Sequence, residues 1–165
     1  MQRQLTESEK EEILSDHIPY KLTQLRHHHY YKSKIRLLFN NDTLYRRHEI
    51  CAIEIGFVAG RLFLEFLGLS YDKLNKQIYR RNNPREDDLL ITDFGFSFVE
   101  TKDLTATELE ILAIFYNRAN KGSGHFTWEE REEDGFASID DGTIIIERLL
   151  QKFLYAKLGR KLVEK

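Results

Sequence analysis

Two residues suited to phosphate chemistry, Arg118 and His125, lie seven positions apart in the second half of the chain. Arg118 shares a helical line with Ile111 and Ile114, so its guanidinium projects from an apolar face. An arginine can hold a phosphate, and a histidine that titrates near neutral pH can move the proton of an RNA 2′-hydroxyl. If a helix continued through the pair, seven steps would return His125 to the same face, about 10 Å further on. The pair therefore predicts phosphodiester chemistry that needs no metal.

Polar residues near this pair and a basic patch earlier in the chain extend the predicted RNA site. Three neighbours of the pair could orient a phosphate, and these are Asn117, Asn120 and Lys121. Between residues 71 and 85, cations alternate with tyrosines. Cations neutralise phosphates and aromatic rings stack on bases, so Lys76, Arg80 and Arg81 are the RNA contacts predicted there. The acidic run 86–88 favours the alternative, a charged loop on the protein surface.

The stretch around Arg118 also fits an ordinary helix end. Gly122 and Gly124 lie within the spacing and should end or loosen the helix. Arg118 and Lys121 would then face the negative end of the helix dipole, and His125 would lie in a loop. The residues alone leave both interpretations open.

Histidines 27, 28 and 29 are consecutive and raise the question of a metal site. Neighbouring residues on a helix diverge by about 100°, so we predict that the three cannot converge on one ion. They should form a solvated helix surface, with His29 partly packed. The one cysteine, Cys51, excludes a Cys-rich zinc site and an internal disulfide. We therefore predict no metal and no cofactor.

A polar strip crosses the predicted central helix, which covers residues 43–69. Arg61 and Glu65 are four apart, and Glu54 precedes Arg61 by seven. This spacing predicts an ion pair between Arg61 and Glu65, or a strip that lines a cleft or a dimer interface. Ala52, Gly56 and Gly60 fall at four-residue steps on the same helix, which is apolar on most of its circumference. Such small residues permit close approach of another helix, so we expect burial on several sides.

The remaining helices and the extended segment are predicted from helix-capping residues, a proline and hydrophobic patterns. Residues 6–9 and 105–108 each fit a capping box, and the second predicts a helix from Thr105 to about Lys121. Pro19 should kink or divide the first helix near His17. Residues 72–80 predict a short helix, and residues 94–98 predict an extended aromatic segment lying on the helices. Asp140 or Asp141 should cap the last helix.

Composition limits the classes of protein. The chain has 165 residues, 41% hydrophobic, with a formal net charge of −2, so a strongly basic nucleic-acid binder is not indicated. The polar N-terminus predicts no signal peptide, and the charges within residues 49–69 argue against a membrane span. We predict a cytoplasmic, all-α protein with a single helical domain over residues 1–165. Its expected fold is a four-helix bundle with a long central helix and an irregular aromatic connection.

Four helices with an internal Arg118 followed by His125 resemble the HEPN superfamily, whose motif is an arginine, four to six residues, then a histidine. Two features depart from the family pattern: Ala119 replaces the polar residue that often follows the arginine, and glycines interrupt the spacing. The resemblance implies a metal-independent endoribonuclease that acts as a homodimer with two motifs facing each other. Arg118 would bind the scissile phosphate, and His125 would act as general acid or base.

Many members of the HEPN superfamily belong to toxin–antitoxin or phage-defence systems, and some only bind. The alternative function is therefore a non-catalytic helical interaction or regulatory protein. Its protein partner would dock on the small-residue face of Ala52, Gly56 and Gly60, or on the segment from Phe94 to Phe98.

Overall fold

The computed structural model describes residues 5–30, 42–124 and 135–162 and is mostly helical, as predicted. Its α-helices are α1 (Glu7–Glu12), α2 (Ile18–Tyr30), α3 (Asp42–Phe66), α4 (Ala106–Gly124) and α5 (Gly135–Leu150). Two strands, β1 (Leu69–Asp72) and β2 (Gln77–Arg80), form an antiparallel hairpin. Most of the buried apolar residues form one cluster, and α3 contributes to it by packing against α2, α4 and α5.

The helix that starts the described chain is continuous but not uniform. The Thr6 side chain accepts the amide of Glu9 at 3.3 Å, and the Glu9 carboxylate accepts the amide of Thr6 at 2.8 Å. This capping box confirms the predicted start of α1. A π-helical turn, Ile13–His17, joins α1 to α2 and ends two residues before Pro19. Pro19 has no amide hydrogen and cannot donate a hydrogen bond within the helix. The wider π-helical turn accommodates this loss, so the helix is not divided.

The small-residue face of α3 lies inside the protein. A Cβ built on Gly60 would lie 2.3 Å from Phe115 Cζ, and one built on Gly142 would lie 2.2 Å from Phe115 Cδ2. The fully buried Phe115 ring therefore fits between α3 and α5 only because both positions lack a side chain. A Cβ on Gly56 would meet Ile139 of α5 at 2.8 Å. This face cannot dock an external partner, so that part of the alternative prediction is wrong.

The opposite face of α3 is exposed, which the sequence analysis missed. We call its apolar residues the α3 stripe, and these are Leu44, Cys51, Ile55, Val58 and Leu62. The steps from Cys51 to Leu62 are four, three and four residues, and Leu44 lies seven positions before Cys51. Ile55 and Leu62 are 43% and 42% exposed. Burial of α3 on several sides was expected, because the helix is apolar on most of its circumference, and this is what the packing shows. Here three neighbouring helices cover part of its circumference and leave the stripe outside.

The predicted short helix over residues 72–80 is wrong, because this segment forms the hairpin. Leu69 pairs with Arg80 and Asp72 with Gln77. The Asp72 carboxylate accepts the backbone amides of Leu74 and Asn75, at 2.8 and 3.2 Å, which builds an Asx-type turn. A side chain that offers the backbone such an alternative competes directly with helix formation.

The connection from the hairpin to α4 is irregular and packs its aromatic residues inward. Phe94 lies edge-on against Phe66 with ring centroids 6.0 Å apart. Phe98 covers Gly68, which ends the α3 region with a φ of 87°, a conformation that favours glycine. The amide of Val99 donates to the carbonyl of Leu67 at 3.0 Å. This connection therefore serves the protein's own core and is not a free docking segment.

The ends of α4 and α5 differ from prediction. The Thr105–Glu108 capping box is present, so the start of α4 is confirmed. However, α4 continues through Gly122 to Gly124, because a glycine costs a helix only about 1 kcal/mol and does not by itself end it. The α5 helix begins at Gly135, so Asp140 and Asp141 lie inside it and cap nothing. Asp140 instead points its carboxylate at a histidine of α2.

Gly60→Ala should destabilise the protein by about 1–3 kcal/mol, because the added methyl overlaps the Phe115 ring. A loss of stability would be informative, because the higher helix propensity of alanine would by itself stabilise the protein by about 1 kcal/mol. The measurement is thermal unfolding, with Val58→Ala on the exposed face of the same helix as the control. Adding Phe115→Leu to Gly60→Ala should cost less than the sum of the two single changes. A melting temperature of Gly60→Ala equal to that of the wild type would contradict the packing described here.

Candidate functional site

The first predicted catalytic residue, Arg118, lies on α4 and is half-buried beside the exposed Ile114. Within the described ranges, no hydrogen bond or ion pair reaches its guanidinium. The second, His125, lies outside the described residues. Helix α4 is nevertheless continuous from Arg118 to Gly124, the residue directly before His125. The glycines therefore do not interrupt the helix between the two predicted residues, contrary to what the sequence indicated.

The polar neighbours of Arg118 do not form one group around it. Asn117 is half-buried, and Lys121 lies within α4, where only its backbone is described. Asn120 is two positions from Arg118, which places it about 200° around the helix. Its side-chain oxygen accepts a hydrogen bond from Arg61 Nη1 of α3 at 3.0 Å. Asn120 thus belongs to the α3–α4 interface and not to the side of α4 that carries Arg118.

The predicted basic patch is partly used inside the protein. Lys76 is exposed in the hairpin turn with a φ of 53°. Arg80 lies 3.1 Å from Glu100 and also stacks near the Phe98 ring, 5.6 Å from its centroid. Arg81 is held by Asp88 at 2.6 Å. The acidic run that follows this patch therefore neutralises part of it, and Lys76 and Arg80 are its more exposed members.

The predicted pairing of Arg61 with Glu65 is present and extends to α4; we call Arg61, Glu65, Tyr116 and Asn120 the Arg61 cluster. Arg61 Nε donates to Glu65 Oε1 at 2.9 Å, and Tyr116 Oη donates to the same oxygen at 2.6 Å. The Arg61 guanidinium also lies 5.8 Å from the centroid of the Tyr116 ring. Because its charges are paired within the cluster, this polar strip holds α3 to α4 and offers no reactive group.

Burial sets the protonation of the Arg61 cluster. Desolvation, together with the hydrogen bond to Glu65, raises the pKa of Tyr116 to about 12. Burial by itself would lower the pKa of Arg61, but the hydrogen bond and charge of Glu65 outweigh it and the pKa rises. Near neutral pH the cluster therefore contains a neutral tyrosine hydrogen-bonded to a charged pair. Tyr71 stacks on Tyr116 with centroids 5.9 Å apart and closes one side.

A second polar group joins the C-terminal end of α2 to α5, and the sequence analysis did not find it. His28 is 1% exposed, and its Nε2 lies 2.7 Å from Asp140 Oδ1. The Nε2 of the half-exposed His29 lies 3.5 Å from the same oxygen. His28 and His29 thus approach one oxygen, but His27 is not part of this group in the described ranges, so the prediction that the three histidines cannot converge on one ion is not contradicted. The ring centroids of His28 and His29 are only 4.1 Å apart, because both side chains bend toward Asp140.

The buried member of the pair is His28 and not His29, contrary to prediction. Burial lowers the pKa of His28, and the hydrogen bond to Asp140 raises it only in part. His28, His29 and Asp140 each offer one ligand atom, and these atoms lie within 4.8 Å of one another. Among the described residues, this is the group whose donor types and spacing fit a metal ion. We call it the His–Asp group.

Nothing local in the sequence points to the His–Asp group. Asp140 and His28 are 112 positions apart, and each could occupy a solvated helix face. An aspartate inside a strongly apolar helix is the one usable signal, since Asp is a poor residue for helix interiors. That signal suggests a partner but does not identify it.

Comparison with known proteins gave no match to a family model, to a curated protein or to a solved structure. The resemblance to the HEPN superfamily therefore rests on the sequence features given above. None of the helices in the described ranges is long and apolar enough to cross a membrane.

Raising the pH from about 9 to about 12 should destabilise the protein, and Tyr116 should account for roughly 2 kcal/mol of the loss. Its folded pKa lies above that of the unfolded chain, so its contribution is complete below pH 10 and disappears as the pH rises through about 12. Denaturant unfolding across this range should show a smaller fall for Tyr116→Phe than for the wild type. Tyr20→Phe, at an exposed position on α2, is the control. If the free energy of unfolding of Tyr116→Phe fell with pH as steeply as that of the wild type, the loss could not be assigned to Tyr116.

Proposed function

We propose that this chain is a HEPN-like helical bundle that binds RNA as a homodimer and cleaves it without a metal ion at Arg118 and His125. The observation that carries the proposal is the continuity of α4 from Arg118 through Gly124. An unbroken helix over these residues agrees with the family pattern, in which the arginine and histidine share one helix. Asn117 and Lys121, one and three positions from Arg118, would help to orient the phosphate.

The environment of Arg118 supports anion binding. Arg118 is half-buried as a residue, one helical turn from the exposed Ile114, and its guanidinium forms no ion pair or hydrogen bond within the described ranges. A partly desolvated cation gains more from a phosphate than a solvated one, because there is less water to displace and the local dielectric constant is lower. The guanidinium can also bind two phosphate oxygens at once. By contrast, Arg61 is already engaged by Glu65 and Asn120.

The proposed reaction is an internal transfer within the RNA. His125 takes the proton of the 2′-hydroxyl, whose oxygen attacks the adjacent phosphorus. The bond from phosphorus to the 5′-oxygen breaks, and that oxygen leaves with the proton that the protonated His125 donates. Arg118 stabilises the negative charge that develops on the phosphate oxygens. The products are a 2′,3′-cyclic phosphate and a 5′-hydroxyl.

The α3 stripe supports the homodimer. From Cys51 to Leu62 its residues follow in steps of four, three and four, the spacing by which two helices pack side by side, and Leu44 lies seven positions before Cys51. From Leu44 to Leu62 the stripe is about 27 Å long. A two-fold axis would place the same apolar residues of a second copy against it, which makes the surface complementary to itself. We therefore assign the stripe to the contact between protomers.

Arg118→Ala and His125→Ala should each abolish ribonuclease activity and leave the melting temperature close to that of the wild type. Both groups act in one transition state, so the double variant should be no less active than either single variant. Cleavage should survive EDTA and leave a 2′,3′-cyclic phosphate, which end-group analysis of a labelled RNA detects. Binding should weaken with salt as phosphate contacts are lost.

The matched control for this experiment is Arg160→Ala. Arg160 forms an exposed ion pair with Glu11 at 2.6 Å, and exposed pairs contribute little to stability. This variant should cleave like the wild type. Two results would refute the catalytic proposal: a wild-type dimer that neither binds nor cuts RNA, or full activity in Arg118→Ala.

Ile55→Glu should convert the dimer into a monomer, because a carboxylate at the centre of the α3 stripe would be buried without a partner. The measurement is the molar mass in solution by light scattering. Leu74→Glu is the control, since Leu74 is 92% exposed in the hairpin turn and lies outside the stripe. A wild-type chain that stays monomeric at high concentration would refute the assignment of the stripe to self-association.

The α3 stripe also supports the second candidate function, a non-catalytic interaction protein. In that case the stripe would bind an amphipathic helix of another protein, since the small-residue face of α3 is buried and the aromatic residues of the segment 94–98 pack against the protein's own core. The two functions differ in the consequence of Arg118→Ala. Loss of the protein's effect in Ile55→Glu but not in Arg118→Ala would favour the interaction protein.

A further inference from the structure

We propose that His28, His29 and Asp140 bind a divalent transition-metal ion of the zinc class, which ties α2 to α5. The proposal does not depend on the RNA chemistry and assigns the ion no step in it. Two imidazoles and one carboxylate suit zinc and similar ions better than magnesium or calcium, which prefer oxygen ligands.

The two distances from Asp140 Oδ1 are close to those that an ion requires, and the three ligand atoms all lie within 4.8 Å of one another. Zinc binds imidazole nitrogen and carboxylate oxygen at about 2.0–2.2 Å, which separates neighbouring ligand atoms in a tetrahedral site by about 3.3–3.5 Å. His29 Nε2 already lies 3.5 Å from Asp140 Oδ1. His28 Nε2 lies 2.7 Å from that oxygen, so the carboxylate must move away from His28 by about 0.6 Å. Rotation of the Asp140 side chain can supply a movement of this size.

The hydrogen bonds of His28 give an independent reason for a cation. Its Nδ1 lies 3.0 Å from the carbonyl oxygen of Leu25, which can only accept. Its Nε2 faces the Asp140 carboxylate, which in its charged form also only accepts. A neutral imidazole carries a single proton, so one of its nitrogens would face an acceptor with a lone pair. A metal ion bound between Nε2 and the carboxylate removes this conflict.

The contact with Leu25 also orients His28 as a metal ligand. Histidines that bind metals usually donate their other ring N–H to a carbonyl or carboxylate, which fixes the tautomer. The Leu25 carbonyl serves this purpose from within the same helix, one turn before His28. His28 is therefore already held with Nε2 directed at the position that the ion would occupy.

The exposed side of the His–Asp group leaves room for a fourth ligand. His28 is buried, but the side chains of His29 and Asp140 are 50% and 32% exposed. Water can therefore complete a tetrahedral shell from the side of His29, and the ion can enter from the same side. Three protein ligands with one open position form a recognised zinc arrangement.

The test is zinc binding by the full chain after EDTA treatment and removal of the chelator. Titration against a chromophoric chelator should give one zinc ion per chain. With free zinc at about 100 times its Kd, the melting temperature should rise by roughly 5–10 °C. His29→Ala should weaken binding by at least about tenfold and still fold, since the His29 ring is half-exposed. Asp140→Asn should weaken binding similarly.

The matched control is His17→Ala, which removes an exposed histidine of the π-helical turn outside the His–Asp group. It should bind zinc like the wild type. Two outcomes would overturn the proposal: no binding at micromolar zinc, or zinc binding that His29→Ala and Asp140→Asn leave unchanged. In the first case the His–Asp group is a hydrogen-bonded histidine–aspartate contact that holds no ion. Because the readout is metal binding, loss of the RNA proposal would not affect this result.

Discussion

The placement of one aromatic ring between two glycines sets the separation of the core helices. Phe115 of α4 is fully buried, and Cβ atoms built on Gly60 and Gly142 would both overlap its ring. The three helices that meet there can therefore approach more closely than helices with side chains at the contact. Phe57 packs edge-on against the same ring, with centroids 4.8 Å apart. With the Phe115 ring packed in this position, α3, α4 and α5 have little freedom to slide past one another.

Two polar contacts then fix how the helices are rotated relative to one another. The Arg61 cluster joins α3 to α4, and the His–Asp group joins α2 to α5. Apolar side chains tolerate small rotations, whereas a hydrogen bond between buried groups is lost when its partners separate. Each interface thus combines non-directional burial with directional polar contacts, and the ion pair between Arg26 and Glu147 is a further one between α2 and α5. The orientation of Arg118 depends on the Arg61 cluster, because that cluster fixes the helix that carries Arg118.

The sequence predicted the local features of the fold better than the long-range ones. The two capping boxes and the small-residue face of α3 were readable because each depends on residues a few positions apart. The hairpin was not predicted because its turn depends on hydrogen bonds that the Asp72 carboxylate accepts from amides two and three residues further on. The hydrophobic periodicity of the sequence does not reveal such contacts. The contact of His28 with Asp140 spans 112 positions, and no pattern in one sequence encodes it. For the same reason, the exposed α3 stripe was indistinguishable from buried apolar surface.

The two arginines on the core helices show why pairing is a better guide to function than burial. Both Arg61 and Arg118 are half-buried, so both bear part of the cost of removing a cation from water. In Arg61 that cost is offset by Glu65, by Asn120 and by the Tyr116 ring, so a structural role accounts for the residue. In the described part of the chain, nothing comparable offsets the cost for Arg118. A half-buried charge without a compensating group lowers the stability of the protein. An external anion that binds to it would offset that cost.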